Sequence, residues 1–455
     1  MTAGGVTRAL RVLGVADSDS YVKWGATTLD RMPAAWSTSL VVVGTPALPS
    51  ARQLAAALAG VRARVETEPL GLDEFARRVA MEQPDVVLLA VRGPVVRVLI
   101  RAILAAGGRR PVFASGLPGI SIPATRKALY YRAQVDHLLL HSRREVREFT
   151  ELAAEMGVEQ SFGLQSLPFL ERVGRNHALA GTDIVFAPQA KVPRELHDRR
   201  RLLAVLVETA ERHPDLRVVV KLRGDQGEAQ THAEKHPFDA LLAELEHRPS
   251  NLVVDRGAMS SALARARGLA TVSSTAAIEA VAAGIPVIAL DDFGVGPDLI
   301  NTVFEGSGLL ASSERLLAAR FAHPHPEWFD DNYFHGGSER PGSGTSFDEL
   351  VALADLRDRG ELALRRQFRG TLGGALRRVW DRKRALGPFD RSAAGVLALA
   401  VGLPLRLVVL AARAVRRLVV PTSGATEAHF PRSRAPGPAD AGATSDRVAP
   451  PLGLR

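Results

Sequence analysis

Residues 273–290 read SSTAAIEAVAAGIPVIAL, and this stretch decides the fold. The apolar run Leu269–Val272 precedes it, an Ala-rich helical pattern ending at Gly284 follows the polar turn, and Pro286 opens a second apolar run. Proline cannot sit inside a helix, and glycine ends one because it takes left-handed backbone without a Cβ clash. The order is therefore strand, polar turn, helix, strand, one unit of a parallel α/β sheet. Ser273, Ser274 and Thr275 stand where the first amides of a helix lack partners, an arrangement suited to an anion such as a diphosphate. Glu279 comes about one turn later, and an ionised carboxylate accepts on both oxygens, so it suits the vicinal hydroxyls of a ribose. The plainer alternative is a capped helix, with Ser or Thr as the cap and Glu facing the positive helix end.

The run EAVAAGIPV, Glu279–Val287, resembles the donor-site signature of glycosyltransferases of GT-B architecture, in which a Glu binds the donor ribose and a Gly-x-Pro follows. With GVADSDSYVKWG at residues 14–25, it makes the chain similar to a bacterial family of glycosyltransferases over residues 8–335. The resemblance implies an α/β fold of two Rossmann-like, doubly wound domains facing a cleft, with the nucleotide-sugar donor in the second and the acceptor in the first.

With 455 residues, 46% of them hydrophobic, the chain has room for two domains with separate cores. It contains no cysteine, which excludes disulfides, thiolate zinc sites and a cysteine nucleophile. No long apolar core precedes Leu10, so neither a signal peptide nor a spanning helix is expected there, and a cytoplasmic setting is expected. The charge is unevenly spread. Between Arg357 and Val420 there are 15 Arg or Lys against 4 Asp or Glu, a local +11 within a total of +9, so the rest is close to neutral.

Leu10–Ala16 is an apolar run that empties into Asp17-Ser18-Asp19-Ser20. Ligands of open parallel sheets bind beyond the carboxyl ends of strands. Asp17, Asp19 and Lys23 are thus candidates to meet an acceptor, with one aspartate, Asp19 in preference, taking the proton from its hydroxyl; the alternative is that Asp and Ser only cap the next helix. Strand-like runs at Ser39–Val43, Arg62–Glu66, Asp85–Val91, Pro111–Ala114 and Asp136–His141 complete an acceptor domain over 1–168. Its turn Ser115–Pro123 holds two glycines and two prolines. His141 ends a strand and is a further candidate, although such a histidine is more often a satisfied structural one.

An irregular stretch, 163–181, reads as the linker. Runs at Asp183–Ala187, Arg217–Val220 and Asn251–Asp255, then the Ser273 unit, make a nucleotide-donor domain over 181–345. Lys221 and Arg223 end one of these runs and are expected to stabilise charge on the leaving phosphate. Transferases using CDP-glycerol or CMP-sialic acid carry Lys-x-His-Pro at a comparable place. Here Arg223-Gly224 replaces the His-Pro, and His236-Pro237 follows thirteen residues later, so either Arg223 or His236 supplies the second group. Asp292 follows a strand and is a candidate for touching either substrate. His323, His325 and His335 are irregularly spaced among prolines, and no metal is expected.

Beyond Gly344 a basic helical extension, 346–420, contains the apolar run Ala393–Leu405, too short to cross a bilayer. At 100° per residue, Arg406, Arg413 and Arg417 fall within about 40° of one another. Segment 393–420 therefore reads as an amphipathic helix lying on an anionic membrane surface, with packing onto the first domain and a kinked span as alternatives. Residues 421–455, rich in Pro, Ala, Gly and Ser, read as a disordered tail. These features converge on a glycosyltransferase, peripheral at the inner membrane face, that moves a sugar from a nucleotide-sugar to a glycan or lipid-linked acceptor and needs no cofactor. The rivals are a UDP-sugar 2-epimerase of the same architecture and a non-catalytic scaffold. At 5% aromatic content and with no recognition motif, nucleic acid is not an expected partner.

Overall fold

Apolar runs alternating with helix-period stretches build two parallel sheets. The computed structural model describes residues 8–167, 170, 181–222, 234–335, 346–363, 375–397, 399–400 and 404. Residues 1–400 form one compact unit, and of a second unit, 401–455, only Pro404 is described.

The first sheet holds β1 (Arg11–Ala16), β2 (Ser37–Val43), β3 (Arg64–Leu70), β4 (Val86–Ala90), β5 (Val112–Gly116), β6 (His137–Leu140) and β7 (Ser161–Leu164). Their spatial order is β3-β2-β1-β4-β5-β6-β7. The second sheet holds β8 (Asp183–Phe186), β9 (Arg217–Lys221), β10 (Leu252–Asp255), β11 (Ala266–Thr271), β12 (Val287–Leu290) and β13 (Leu310–Ala311), in the order β10-β9-β8-β11-β12-β13. Every pairing within the two sheets is parallel. Helices cover both faces of such sheets, so the inner strands have no wet side and read as unbroken apolar runs. All five residues of β4 and all four of β8 are buried.

Strand order positions the site. In each sheet the chain winds outward in one direction from its first strand, then returns and winds in the other. Topological switch points therefore lie between β1 and β4 and between β8 and β11, where diverging loops open a crevice. Asp17–Ser20 follows β1, and Ser273–Thr275 follows β11. The helix Ala276–Ala282 ends as expected, with Gly284 left-handed at φ +76°.

The basic extension is not a separate body over its first part. Helix Ser346–Asp358 sets Leu350, Leu353 and Ala354 into the core of the first sheet, and Arg357 bonds the carbonyl and the carboxylate of Asp85, both at 2.7 Å. Helix Ala375–Leu386 packs Ala385 and Leu386 into the cluster that contains Val95, Val98 and Leu99. Each leucine buried in this way contributes about 1.5–3 kcal/mol. Residues 393–397 are helical; most of the expected amphipathic helix to 420, the tail, and all of the linker region 171–180 lie outside the described residues. Among the described residues no helix is long and apolar enough to cross a membrane.

Candidate active site

Ser273 is buried, its hydroxyl has no partner among the described residues, and its carbonyl accepts a bond from the Gln189 side-chain amide. Leaving a buried hydroxyl unpaired costs about 1–3 kcal/mol, so it marks a place where a ligand or water completes the bonding. Ser274 is engaged locally. Its N–H donates to Thr271 Oγ1 (3.0 Å), and its own oxygens accept from the Ala276 N–H (3.2 Å) and the Ala277 N–H (3.0 Å). The helix that follows has only seven residues, and part of its first turn is satisfied in this way. Side chains, rather than bare helix amides, are what this turn offers. Thr275 makes no cap bond with its side chain.

The first sheet's loops reach this turn. Lys23 Nζ lies 3.6 Å from Glu279 Oε1, linking the helix Asp19–Asp30 to the helix Ala276–Ala282. Gly119, in the turn after β5, lies so close to Thr275 that a Cβ there would stand 3.3 Å from Thr275 Cγ2. Threonine and glutamate of one lobe thus face glycine and lysine of the other.

Asp17 and Asp19 separate sharply. Asp17 is fully buried and accepts from the Arg92 N–H (3.0 Å) and Arg92 Nε (2.7 Å). Thr45 joins them, donating to the Asp17 carbonyl (3.2 Å) and accepting from Arg92 Nη2 (2.9 Å). Burial raises the Asp17 carboxyl above its ordinary value, and Arg92 pulls it back. Asp17 therefore braces the loops after β1, β2 and β4, with both carboxylate oxygens bonded to Arg92 and buried. Asp19 begins its helix partly exposed, with Ser20 Oγ 3.3 Å from its Oδ1. Ser18, the N-cap between the two, has a buried hydroxyl without a partner. Among the described residues each lobe thus places a serine hydroxyl without a partner beside its switch point.

Three other candidates are committed elsewhere. The Lys221 ammonium is buried and donates to the carbonyls of Gly257 (2.6 Å) and Leu222 (3.0 Å). It ends β9, two strands and roughly 10 Å from β11. Burial lowers its pKa, and backbone carbonyls rather than the donor turn hold the ammonium. Asp292 bonds the Ser313 N–H (2.8 Å) and hydroxyl (2.7 Å), holding the start of the next helix. His141 is buried, with Nε2 accepting from Trp24 Nε1 and Nδ1 donating to the Gln165 carbonyl, both at 2.8 Å. An indole N–H can only donate and a carbonyl only accept, so these bonds fix the neutral tautomer. Burial holds its pKa at about 4, and both nitrogens are occupied. Arg223 lies outside the described residues. His236 comes nearer the donor turn, because Arg199 binds its carbonyl (2.8 Å) together with those of Gln189 (2.7 Å) and Ala190 (2.9 Å) in the loop after β8.

That loop holds what the sequence reading missed. Gln189 touches Ser273, and Lys191 follows two residues on, exposed. Burial of part of its side chain, then the cations Lys127 and Arg194, hold the Lys191 ammonium below its usual pKa. Three cations drawn from both lobes repel one another, and a polyanion relieves the repulsion.

A family model described as "Putative glycosyltransferase (DUF6716)" matches residues 12–346. The chain belongs to this glycosyltransferase family. Two doubly wound parallel-sheet lobes in one transferase chain are the GT-B plan. No curated protein matches the sequence. Among solved structures the transferase is similar to S. aureus MnaA with UDP, at 11% identity and a TM-score of 0.47, covering 79% of this chain and 100% of that one. It is also similar to UDP-GlcNAc 2-epimerase from Neisseria meningitidis bound to UDP-GlcNAc (12%, TM-score 0.47, 75% and 99% covered). E. coli heptosyltransferase WaaC with ADP is more distant in shape (16%, TM-score 0.35, 64% and 90% covered).

The lobes of this transferase meet over the helix Arg143–Glu155. Arg144 reaches the Thr302 carbonyl (3.2 Å), and Arg147 grips Asp331 through two bonds of 2.6 and 2.7 Å. Between them Glu145, fully buried, accepts from the Tyr333 hydroxyl (2.8 Å), the Ser121 N–H (3.0 Å) and the His141 N–H (2.7 Å). It ties the Gly119 turn to the chain that returns from the second sheet. Burial raises its pKa to about 7, against an ordinary 4.5. The stability contributed by neutral Glu145 is fully present below about 4.5 and is lost as pH rises through about 7. His141, depressed to about 4, acts in the opposite sense: its contribution is present above the ordinary 6.5 and is lost as pH falls through about 4. Over the shared window each has a slope of up to about 1.4 kcal/mol per pH unit, so in the intact protein they nearly offset. Glu145→Gln removes one of them. Its thermal midpoint should rise from pH 4.5 to 6.5 markedly more steeply than that of the unsubstituted chain; equal slopes would rule out the buried titration.

Proposed function

We propose that this transferase moves a sugar from a nucleoside-diphosphate donor, bound at the β8 and β11 loops, to an acceptor hydroxyl at the β1 loop. The observation that carries the reading is the meeting of the two switch-point crevices at the Lys23–Glu279 contact of 3.6 Å, beside the unpartnered Ser273 hydroxyl. Glu279 would bind the ribose diol, while Ser273, Thr275 and Lys191, with Lys127 and Arg194 near, would hold the diphosphate. The acceptor oxygen attacks the anomeric carbon as the bond from that carbon to the phosphate oxygen breaks. The diphosphate leaves with the electron pair, and Asp19 takes the acceptor proton. Cations and hydroxyls aimed at the departing oxygen stabilise the charge that develops there, usually the largest single contribution. In this reading no cofactor is needed beyond the donor.

We take the acceptor to be a glycan or lipid-linked sugar at an anionic membrane surface. Its support is the basic, amphipathic pattern of residues 393–420 and the concentration of positive charge beyond Arg357. The test is incubation with a panel of nucleotide-sugars, with and without membrane-extracted glycolipid. Nucleotide release that depends on the acceptor is expected. Conversion of the nucleotide-sugar to its epimer without any acceptor would overturn the transfer reading in favour of a 2-epimerase.

A further inference from the structure

Five large hydrophobic side chains are exposed among the described residues, and three of them, Phe389, Val396 and Leu397, fall within nine positions. They follow the helix Ala375–Leu386 and run into the helical residues 393–397. Arg384 and Arg391 are exposed beside them, and among the described residues neither makes an ion pair. The neighbouring cations are engaged: Arg382 binds Asp73 (2.8 and 3.0 Å) and Asp390 (3.2 Å), and Lys383 binds the Asp390 carbonyl (2.7 Å).

This patch is anchored. Asp390 is buried and also accepts the Ser392 N–H (3.2 Å), which sets where the last helical run begins. One edge of the Phe389 ring packs on Gly44 so closely that no Cβ would fit, and Gly387 sits against Pro46. Thr45, between those two contacts, bonds the Asp17 carbonyl at 3.2 Å. The exposed apolar and basic residues therefore leave the first lobe at the carboxyl end of β2, one loop away from the turn that carries Asp19.

Apolar side chains standing beside exposed guanidinium groups match the boundary of a bilayer, where acyl chains take the former and lipid phosphates the latter. We propose that residues 384–397 form a docking surface for an anionic bilayer, one that brings the acceptor crevice to the membrane plane. The binding stands on the patch itself; what it delivers, a hydroxyl on a lipid-borne acceptor, rests on the transferase reading above.

The experiment is flotation of the full chain with vesicles of equal parts phosphatidylglycerol and phosphatidylcholine, compared with phosphatidylcholine alone. Binding is expected with the anionic vesicles only. The double variant Val396→Asp/Leu397→Asp should bind at least about tenfold more weakly, and Arg384→Ala/Arg391→Ala comparably, since each cation near an anionic surface is worth about fivefold. All four positions are exposed, so folding is undisturbed, and a nucleoside-diphosphate thermal shift measured on the same samples checks it. Equal binding to neutral vesicles, or undiminished flotation of both variants, would overturn the proposal. Absence of the thermal shift in the unsubstituted chain would instead sink the donor reading and leave the docking surface standing.

Discussion

Asp19→Asn should lower kcat by about 10²- to 10⁴-fold, the range contributed by a positioned general base, while nucleotide affinity stays close to that of the unsubstituted chain. The expectation rests on a contrast between two carboxylates two residues apart. Asp17 is enclosed by Arg92 and Thr45 and offers no free oxygen. Asp19 opens the adjacent helix at the surface of the crevice, and the helix that it starts carries Lys23 to within 3.6 Å of Glu279. A base acts only on the proton it can reach, so the loss should fall on kcat and not on donor binding. Steady-state kinetics with saturating donor checks this. A kcat within a few-fold of the original would remove Asp19 from the mechanism.

Glu279→Gln should weaken nucleoside-diphosphate binding by about 10- to 100-fold, because hydrogen bonds to a charged acceptor are worth about 1.5–3 kcal/mol. A carboxylate accepts charge-assisted bonds from both hydroxyls of a diol, whereas the neutral amide accepts through one oxygen only and must donate to the other hydroxyl. The side chain is mostly enclosed, 15% exposed, so water substitutes poorly for the lost contact. The substitution also removes the charge opposite Lys23, which is 38% exposed and loses little in water, so the change should report on the ligand more than on the joint between the lobes.

The strand-turn-helix-strand unit around Ser273 was legible because each of its signals is local: an apolar run, a hydroxyl turn, an Ala-rich helix, Gly284 and Pro286. The doubly wound plan followed from repetition of such units. Spatial strand order is not local. Lys221 ends a strand that precedes the donor turn in sequence, yet β8 lies between β9 and β11, and Gly257 draws the ammonium the other way. Nothing near Asp17 announces Arg92, 75 residues distant, whose bonds enclose it.

Two misses were avoidable. The rule that directed attention to the loop after β1 applies equally to the loop after β8, where Gln189 and Lys191 lie, although no motif marks them. Leu350, Leu353 and Ala354 stand at the i, i+3, i+4 spacing of a core-facing helix, a packing signal that the surrounding arginines obscured. Charge along a segment describes its wet face and says little about what the other face buries.

The most direct test of a nucleotide seated on the β11 turn is calorimetric titration of a ribonucleoside diphosphate and its 2′-deoxy counterpart onto the unsubstituted chain and onto Glu279→Gln. The account predicts that the unsubstituted chain prefers the ribonucleotide by about tenfold and that Glu279→Gln binds both equally weakly. Full retention of the preference for ribose in Glu279→Gln would contradict it.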